Sequence, residues 1–135
     1  MKLTDYDTLV APWVGARTGD DFQAGVTASL GVMDENDDLV AGVVYDHLTG
    51  PCVTATIAVE GKCLPRNMIR AMFNYPYKYL GVRKILVYVS EVNYKSVELA
   101  KRLGFKVEAT IKDVYVEGDM LVLSLLKQDC IWIRS

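Results

Sequence analysis

Apolar residues recur along the chain in short segments, some with the period of strands and others with the period of helices. Segments 26–33 and 39–45 are apolar runs of strand length, and the acidic stretch between them is typical of a turn. Together they predict an antiparallel hairpin. Apolar and polar residues alternate over 53–59 and over 105–111, which predicts two more strands with one apolar face each. Residues 120–126 predict the last strand.

Three other segments have the spacing of helices. Residues 5–17 predict one or two short helices, because Pro12 interrupts the pattern. Residues 66–80 place apolar side chains on one stripe, and Pro76 near the end of this segment predicts a kink. That stripe consists of Met68, Ile69, Met72, Phe73, Tyr79 and Leu80. The third helix follows Asn93, and its inward stripe consists of Val97, Ala100 and Leu103.

The order of these segments predicts the fold class. Segment 84–90 is apolar on both faces, which is typical of a central strand covered by helices on each side. The predicted order is a helix, three antiparallel strands, a helix, a strand, a helix and two strands. The strand–helix–strand step in the middle is long enough for a right-handed parallel crossover. We therefore expect an α/β fold with a mixed, mainly antiparallel sheet, a central parallel β-α-β step and helices on both faces.

Length and charge narrow the class of protein. The 135 residues suit one domain, 1–135, and 51% apolar with 24% charged residues is the balance of a folded globular chain. A net charge of −2 argues against nucleic-acid binding through a basic surface. No apolar run approaches the roughly 18 residues of a membrane helix. Acidic residues stand where a signal peptide would have its apolar core, so we expect an intracellular protein.

The cysteines and the single histidine do not form a recognisable metal or nucleophile motif. Cys52, Cys63 and Cys130 are widely spaced, and His47 is the only histidine. A zinc site needs Cys or His residues paired at short spacing. We therefore expect reduced thiols and no metal.

The most distinctive motifs lie in the second half of the chain. Tyr75-Pro-Tyr77 and Leu80-Gly81 close the second predicted helix, while Asn93-Tyr-Lys-Ser96 and Leu103-Gly-Phe105 flank the third. This order resembles the GNAT superfamily of acyl-CoA-dependent N-acyltransferases, over about residues 26–126. The chain looks most like the ribosomal-protein N-acetyltransferase-like branch, and there like small members encoded by tailed bacteriophages. A GNAT-like fold is implied, with the family's first strand missing because the chain begins directly with a helix.

The resemblance implies acetyl-CoA as the acyl donor. In the family, strands equivalent to those ending near Val59 and beginning near Arg83 splay apart, and the pantetheine arm hydrogen-bonds into the gap like an added strand. The pyrophosphate lies where a loop, here 60–66, enters a helix. The implied cofactor-binding residues are Ile57, Val59, Lys62, Cys63, Leu64, Arg66, Asn67 and Asn93.

The resemblance also implies two catalytic residues after strand 84–90. Family members use the side chain at the position of Asn93 near the thioester, and Ser96, on the same helix face, is expected to give a proton to the leaving thiolate. Both have plainer interpretations, because Asn is a good N-cap and Ser is a common polar residue of a first helical turn. Lys62 and Arg66 are either phosphate ligands or ordinary surface charges.

The chain departs from the family pattern at several positions. Cys63 and Pro65 occupy the glycine positions of the phosphate loop, and Glu60 replaces its leading basic or amide residue. Pro65 also removes one backbone donor. Many family members have a Tyr where this chain has Ala100. The sequence leaves the general base open among Glu60, Glu91, Asp46, His47 and a chain of waters.

Two functions are consistent with these residues. The first is an N-acetyltransferase that moves an acetyl group directly from acetyl-CoA to a primary amine of a protein or small molecule. The second is a phage-related binding or structural module with a GNAT fold, in which catalysis has been lost. Either is expected in the cytoplasm of a bacterium or a phage-infected host. A trimmed fold would need a second subunit to complete its acceptor pocket, so a homodimer is a further expectation.

Overall fold

The computed structural model describes residues 1–22, 28–61 and 64–133. The strands are β1 (Lys2–Thr4), β2 (Ala28–Met33), β3 (Leu39–Asp46), β4 (Cys52–Val59), β5 (Lys84–Ser90), β6 (Lys106–Ile111) and β7 (Met120–Leu126). The helices are α1 (Asp7–Thr18), α2 (Arg66–Asn74) and α3 (Tyr94–Leu103). A π-helical turn, Tyr75–Tyr79, extends α2, and two 3-10 turns, Lys127–Asp129 and Ile131–Ile133, follow β7.

The strands form one mixed sheet in the order β1-β2-β3-β4-β5-β7-β6. β4 and β5 are parallel, and the other neighbouring pairs are antiparallel. The crossover between β4 and β5 contains α2, as the sequence predicted. The prediction of a mixed, mainly antiparallel sheet with one central parallel step is confirmed.

Helices cover both faces of the sheet, which was also predicted. α2 and α3 pack on one face over a core that includes Phe73, Ile85 and Leu123. α1 packs on the other face over a smaller core formed with β3 and β4. The approach of α1 is close, because a Cβ added at Gly42 would lie 2.7 Å from Cγ2 of Val14. None of the helices in the described ranges is long and apolar enough to cross a membrane.

The prediction that helices cover β5 on each side is wrong. Ile85 and Val89 are buried under α2 and α3. Tyr88 points to the other face and is 43% exposed. α1 packs on β2, β3 and β4, so it does not extend over this half of the sheet. The apolar residues on the second face of β5 pack beside those of β7, where Tyr88 lies opposite Val122.

The prediction that the first strand is missing is also wrong. β1 is present as three residues that pair antiparallel with β2, with Leu3 opposite Val32. Leu3 is itself 43% exposed. A strand of three residues has too little alternation to be recognised from the sequence, because its place in the sheet depends on backbone pairing.

The N-terminal segment forms one continuous helix through Pro12. Pro12 is exposed, so the carbonyl group that it leaves without a helical N–H partner can be hydrated. Gly19 ends the helix with a φ of 82°, and its N–H donates to the carbonyl oxygen of Gly15 at 2.8 Å. Of the two sequence alternatives, one helix or two, the first is correct.

Pro76 disturbs the second helix, as predicted, by converting its last turn to π geometry. A proline has no N–H, so the carbonyl of Met72 loses its usual helical donor. The buried hydroxyl of Tyr45 donates to that carbonyl instead. The turn closes with a hydrogen bond of 3.0 Å from the N–H of Leu80 to the carbonyl of Tyr75. Tyr79, predicted on the buried stripe, is 81% exposed because the wider turn rotates it outward.

Candidate functional site

The central feature of the site is a gap between the two parallel strands. β4 and β5 pair only at their beginnings, where Cys52, Val53 and Thr54 lie opposite the first three residues of β5. Beyond that point β4 continues along β3 as far as Val59, and β5 continues along β7 as far as Ser90. Both strands therefore continue within the sheet but no longer pair with each other. This opens a gap between their carboxyl-terminal ends.

Backbone donors of β4 face this gap. The N–H of Glu60 donates to the carbonyl oxygen of Val40 at 2.8 Å, which makes these two residues a hydrogen-bonded pair of the β3–β4 ladder. In an antiparallel ladder such pairs alternate with pairs whose N–H groups point away. Ile57 and Val59 are in the second class, so their N–H groups point toward β5. An extended ligand in the gap would accept hydrogen bonds from these N–H groups, as a neighbouring strand would.

Two helix N-termini lie at the open end of the gap. α2 begins at Arg66, shortly after β4 ends, and α3 begins at Tyr94, shortly after β5 ends. A helix N-terminus has unpaired N–H groups and a partial positive charge, which favour an anion. Pro65 occupies the N-cap position of α2 and contributes no donor. Lys62 and Cys63, predicted to bind the cofactor, lie outside the described residues.

The remaining predicted residues of the phosphate loop are on the surface at this end. Arg66 and Asn67 are exposed on the first turn of α2, and Leu64 is half-buried before it. The Arg66 guanidinium lies 5.2 Å from the ring centre of Trp132, a cation–π contact that restricts its position. The Trp132 ring is fixed in turn by a hydrogen bond of 2.8 Å from its Nε1 to the carbonyl of Leu103.

Asn93 and Ser96 lie together at the beginning of α3. Oδ1 of Asn93 accepts a hydrogen bond of 3.4 Å from the backbone N–H of Ser96, so Asn93 is the N-cap of the helix. The N-cap interpretation of Asn93 is therefore correct. Its Nδ2 group is a donor that the cap does not use. Asn93 is exposed and Ser96 half-buried, at the end of the sheet where the gap opens.

The structure separates the four candidate bases into two pairs. Asp46 lies opposite Thr54, and β3 runs antiparallel to β4, so Asp46 and His47 are at the other end of the sheet. Five residues of strand, about 16 Å, separate that point from Val59. Nδ1 of His47 lies 3.1 Å from Oδ1 of Asp46. These two residues are too far from the gap to act as its base.

Glu60 and Glu91 lie at the correct end of the sheet. Glu60 forms an ion pair with the Nε of Arg17, which comes from the last turn of α1. The Arg17 guanidinium also stacks 3.8 Å from the ring centre of Trp13. Glu91 directly follows β5, and its N–H donates to the carbonyl of Asp119 at 2.9 Å. The ion pair occupies the Glu60 carboxylate, whereas Glu91 takes part in no ion pair among the described residues.

Sequence reasoning missed a contact between two loops beside the gap. Burial, together with the nearby charge of Asp20, raises the pKa of Tyr115 above its usual value. Tyr115 lies in the segment between β6 and β7. Oγ of Ser90 donates to the carbonyl of Glu117 at 3.0 Å, which joins this segment to the end of β5. These contacts span too many residues for a local motif to indicate them.

Acidic side chains predominate along these loops. The residues concerned are Asp20, Asp21, Glu91, Asp113, Glu117 and Asp119. Within the segments that the structure describes, no three His, Cys, Asp or Glu side chains are placed to hold a metal ion. Burial raises the pKa of the Cys52 thiol above its usual value.

Neither a protein-family model nor a curated protein sequence matches the chain. Solved structures do match. A chimera of the spermidine N-acetyltransferase SpeG from Vibrio cholerae and hSSAT aligns over 99% of this chain and 100% of its own, with a TM-score of 0.78 and 15% identity. A spermidine/spermine N-acetyltransferase SpeG mutant from Vibrio cholerae aligns over 94% of this chain and 95% of its own, with a TM-score of 0.75 and 16% identity.

A dodecameric spermidine N-acetyltransferase from the same organism aligns over 94% of each chain, with a TM-score of 0.76 and 16% identity. At this level of identity, a likeness over nearly the whole length establishes the fold. The chain therefore has the GNAT-like fold that its motifs implied.

Proposed function

We propose that this protein is an acetyl-CoA-dependent N-acetyltransferase that transfers an acetyl group directly to a primary amine. The observation that carries the proposal is the gap between β4 and β5, with the N–H groups of Ile57 and Val59 pointing into it. The N-termini of α2 and α3 flank its open end. The likeness in fold to spermidine N-acetyltransferases supports the same function.

The residues around the gap fit acetyl-CoA by their chemistry. The N–H group of Ile57 binds an amide carbonyl of an extended pantetheine arm, and that of Val59 binds the carbonyl of the thioester. The first turn of α2 and the Arg66 guanidinium bind phosphate oxygens. Nδ2 of Asn93 donates to an acceptor atom at the end of the arm. Leu64 and Asn67 line the same approach, and we propose Lys62 and Cys63 as further contacts.

Acetyl-CoA supplies an activated acyl group, so the chain must mainly orient the amine, accept a proton and stabilise charge. Orientation alone is worth roughly 7–11 kcal/mol in favourable cases. The N–H of Val59 stabilises negative charge developing on the carbonyl oxygen. Glu91, which lacks the ion pair of Glu60, is the carboxylate that we assign as proton acceptor. The hydroxyl of Ser96 gives a proton to the leaving sulfur and regains one from water.

We propose a polyamine as the acceptor class. The acidic loops beside the gap, which include Asp20 and Glu117, attract a multiply charged cation. The structural neighbours are named as spermidine N-acetyltransferases, which supports the same class. The motifs between Tyr75 and Phe105 instead support the ribosomal-protein branch, for which the acceptor is a primary amine of a protein. The two classes differ in size and charge, so an activity assay distinguishes them.

Calorimetric titration with acetyl-CoA tests the cofactor. We expect saturable binding at micromolar concentration, and at least ten-fold weaker binding for Arg66→Gln. Arg70→Gln is the matched control, because Arg70 lies one turn later on α2 and also loses one positive charge. Absence of binding at millimolar acetyl-CoA would exclude the enzyme.

Thiol release from acetyl-CoA tests the reaction and its acceptor. The panel contains spermidine, a small monoamine and a peptide with a free N-terminus. We expect the largest rate with spermidine, falling as salt screens the acidic loops. The largest rate with the peptide would favour the ribosomal-protein branch and contradict the polyamine proposal.

A second function is favoured by one observation. Pro65 stands at the beginning of α2 and contributes no N–H, so the phosphate site has fewer donors than a glycine loop offers. This supports a phage-related binding or structural module that has lost catalysis. That function would be established if the chain binds acetyl-CoA but releases no thiol from it in the presence of any amine in the panel.

We also propose a homodimer. One structural neighbour is described as dodecameric, and the face of the sheet that α1 leaves uncovered exposes Tyr88 and Ile111. Light scattering across a concentration series measures the molar mass. A monomer at every concentration, for a chain active in the thiol assay, would contradict the dimer but not the enzyme.

A further inference from the structure

A second concave region lies at the other end of the sheet from the gap. It is a cavity of about 820 Å³, lined by Cys52 at the beginning of β4 and Lys84 at the beginning of β5. The volume is within the roughly 300–1,000 Å³ of small-molecule sites. Seven residues of β4, about 23 Å, separate Cys52 from Val59 at the gap. A ligand in this cavity does not reach the acyl-transfer site.

The cavity concentrates positive charge on an acidic protein. Its lining includes four basic residues, although the chain as a whole has a net charge of −2. These four are Lys78, Arg83, Lys84 and Lys127. Nζ of Lys84 lies 2.5 Å from Oε1 of Glu108, and this ion pair lowers the pKa of the glutamate. Among the described residues, no carboxylate forms an ion pair with the other three.

Backbone hydrogen bonds order the main chain at two of these basic residues. The N–H of Arg83 donates to the carbonyl of Pro51 at 2.8 Å, where the chain enters β4. The N–H of Lys127 donates to the carbonyl of Arg83 at 2.9 Å, so the end of β7 is joined to the beginning of β5. The two residues therefore lie next to one another although 44 positions separate them in sequence. Basic residues on an ordered main chain lose less conformational entropy on binding a ligand than basic residues on flexible loops.

The remaining walls of the cavity are largely apolar. Pro51, Leu126 and Ile133 contribute to the lining beside the cations. A pocket that combines apolar walls with a few convergent charges suits an organic ligand with a charged group at one end. Inorganic ions would use the charges and leave the apolar walls hydrated.

We propose that this cavity binds a small organic phosphate. Its phosphate group is held by Arg83, Lys127 and Lys78, and its apolar part packs against Leu126 and Ile133. Phosphate is the anion that fits best, because the guanidinium fork of arginine matches its oxygens and a dianion needs more than one cation. The proposal is independent of acetyl transfer, since no residue of the gap takes part.

Phenyl phosphate and inorganic phosphate are the probes, and the amide NMR spectrum of the full chain is the readout. We expect saturable shifts at Arg83, Lys84 and Lys127 with both probes, and at least five-fold tighter binding of phenyl phosphate. Equal affinity for the two probes would show that the apolar walls take no part and would overturn the proposal. Shifts confined to the first turn of α2 would place the anion at the gap and overturn it too.

The double variant Arg83→Gln/Lys127→Gln should weaken phenyl phosphate binding at least ten-fold. Its matched control is Lys101→Gln/Arg102→Gln, which removes the same two charges from the exposed face of α3. Equal weakening in both variants would indicate a general charge effect and overturn the proposal. If the double variant is not folded by its NMR spectrum, Lys78→Gln alone, at an exposed position, should weaken binding at least three-fold, and unchanged binding there would overturn the proposal.

Discussion

At the scale of single residues, Asn93 shows how one side chain can satisfy two interpretations. Oδ1 accepts the Ser96 N–H as an N-cap, and this leaves Nδ2 as a donor for a ligand in the gap. The sequence predicted the cap, and the family resemblance implied the cofactor contact, because Asn93 lies between β5 and the first residue of α3. A structural role and a binding role are therefore compatible, and substitution can separate them.

Asn93→Ala should lower the free energy of unfolding by about 1 kcal/mol and also weaken acetyl-CoA binding. Asn93→Ser should keep most of the stability, because a serine hydroxyl caps the helix, but it lacks the amide donor. We therefore expect weak acetyl-CoA binding in both variants and reduced stability only in the first. Urea unfolding and calorimetry measure the two quantities. Normal binding by Asn93→Ser would show that Asn93 is only a cap.

The buried hydroxyl of Tyr77 should make the fold sensitive to alkaline pH. It donates to the carbonyl of Leu125 at 2.5 Å, and burial raises the pKa of Tyr77 well above its usual value of about 10. Above about pH 10 the unfolded chain releases a proton that the folded chain retains, so the free energy of unfolding falls as pH rises. Below that pH the group contributes no pH dependence.

Tyr77→Phe should cost about 1–3 kcal/mol at pH 7, because the Leu125 carbonyl loses its buried donor. The same variant should show a shallower loss of stability between pH 9 and 11. Urea unfolding across this range measures both effects. Tyr79→Phe is the control, since that ring is 81% exposed, and it should leave the stability at pH 7 unchanged. Equal alkaline slopes for wild type and Tyr77→Phe would contradict the assignment.

At the scale of elements, the sequence predicted those whose pattern is long and local. β7 begins and ends where predicted, and α3 buries Val97 and Ala100 as its spacing required. Elements that depend on distant partners were not predicted. β1 is defined by pairing with β2, and the uncovered face of β5 depends on where α1 stops. Apolar residues on both faces of a strand do not specify whether a helix or neighbouring strands cover the second face.

The π-helical turn after α2 provides a prediction at this scale. Pro76 removes the donor for the Met72 carbonyl, and the Tyr45 hydroxyl replaces it. Tyr45→Phe should therefore cost about 1–3 kcal/mol, because a buried carbonyl is left without a partner. Pro76→Ala restores a backbone N–H, so it should cost less in the Tyr45→Phe background than in wild type. Urea unfolding of the four proteins gives the coupling free energy.

A simple loss of packing would not produce a coupling free energy between the two substitutions. Both positions are buried, so each single substitution loses some contact area whatever the hydrogen bond does. That loss occurs in both backgrounds and cancels in the cycle. Additive effects of the two substitutions, within about 0.5 kcal/mol, would show that Tyr45 does not replace the missing helical donor.

At the scale of the whole molecule, the sequence indicated the site at one end of the sheet but not the cavity at the other end. The gap was implied by motifs between Tyr75 and Phe105, because the resemblance supplied the arrangement that these residues belong to. The basic cavity was not indicated, since its cations come from the ends of three elements and from residues as distant as Lys78 and Lys127. The ion pair of Arg17 with Glu60 was missed for the same reason.

The separation of the two ends predicts that their ligands act independently. A ligand that binds only the folded chain stabilises it by about 2.7 kcal/mol at 100 times its dissociation constant. Acetyl-CoA at the gap and phenyl phosphate in the basic cavity should therefore raise the thermal unfolding midpoint by nearly the sum of their separate effects. Arg66→Gln should reduce only the first increase, and Arg83→Gln/Lys127→Gln only the second. A combined increase no larger than the greater single one would mean that the ligands compete for one site.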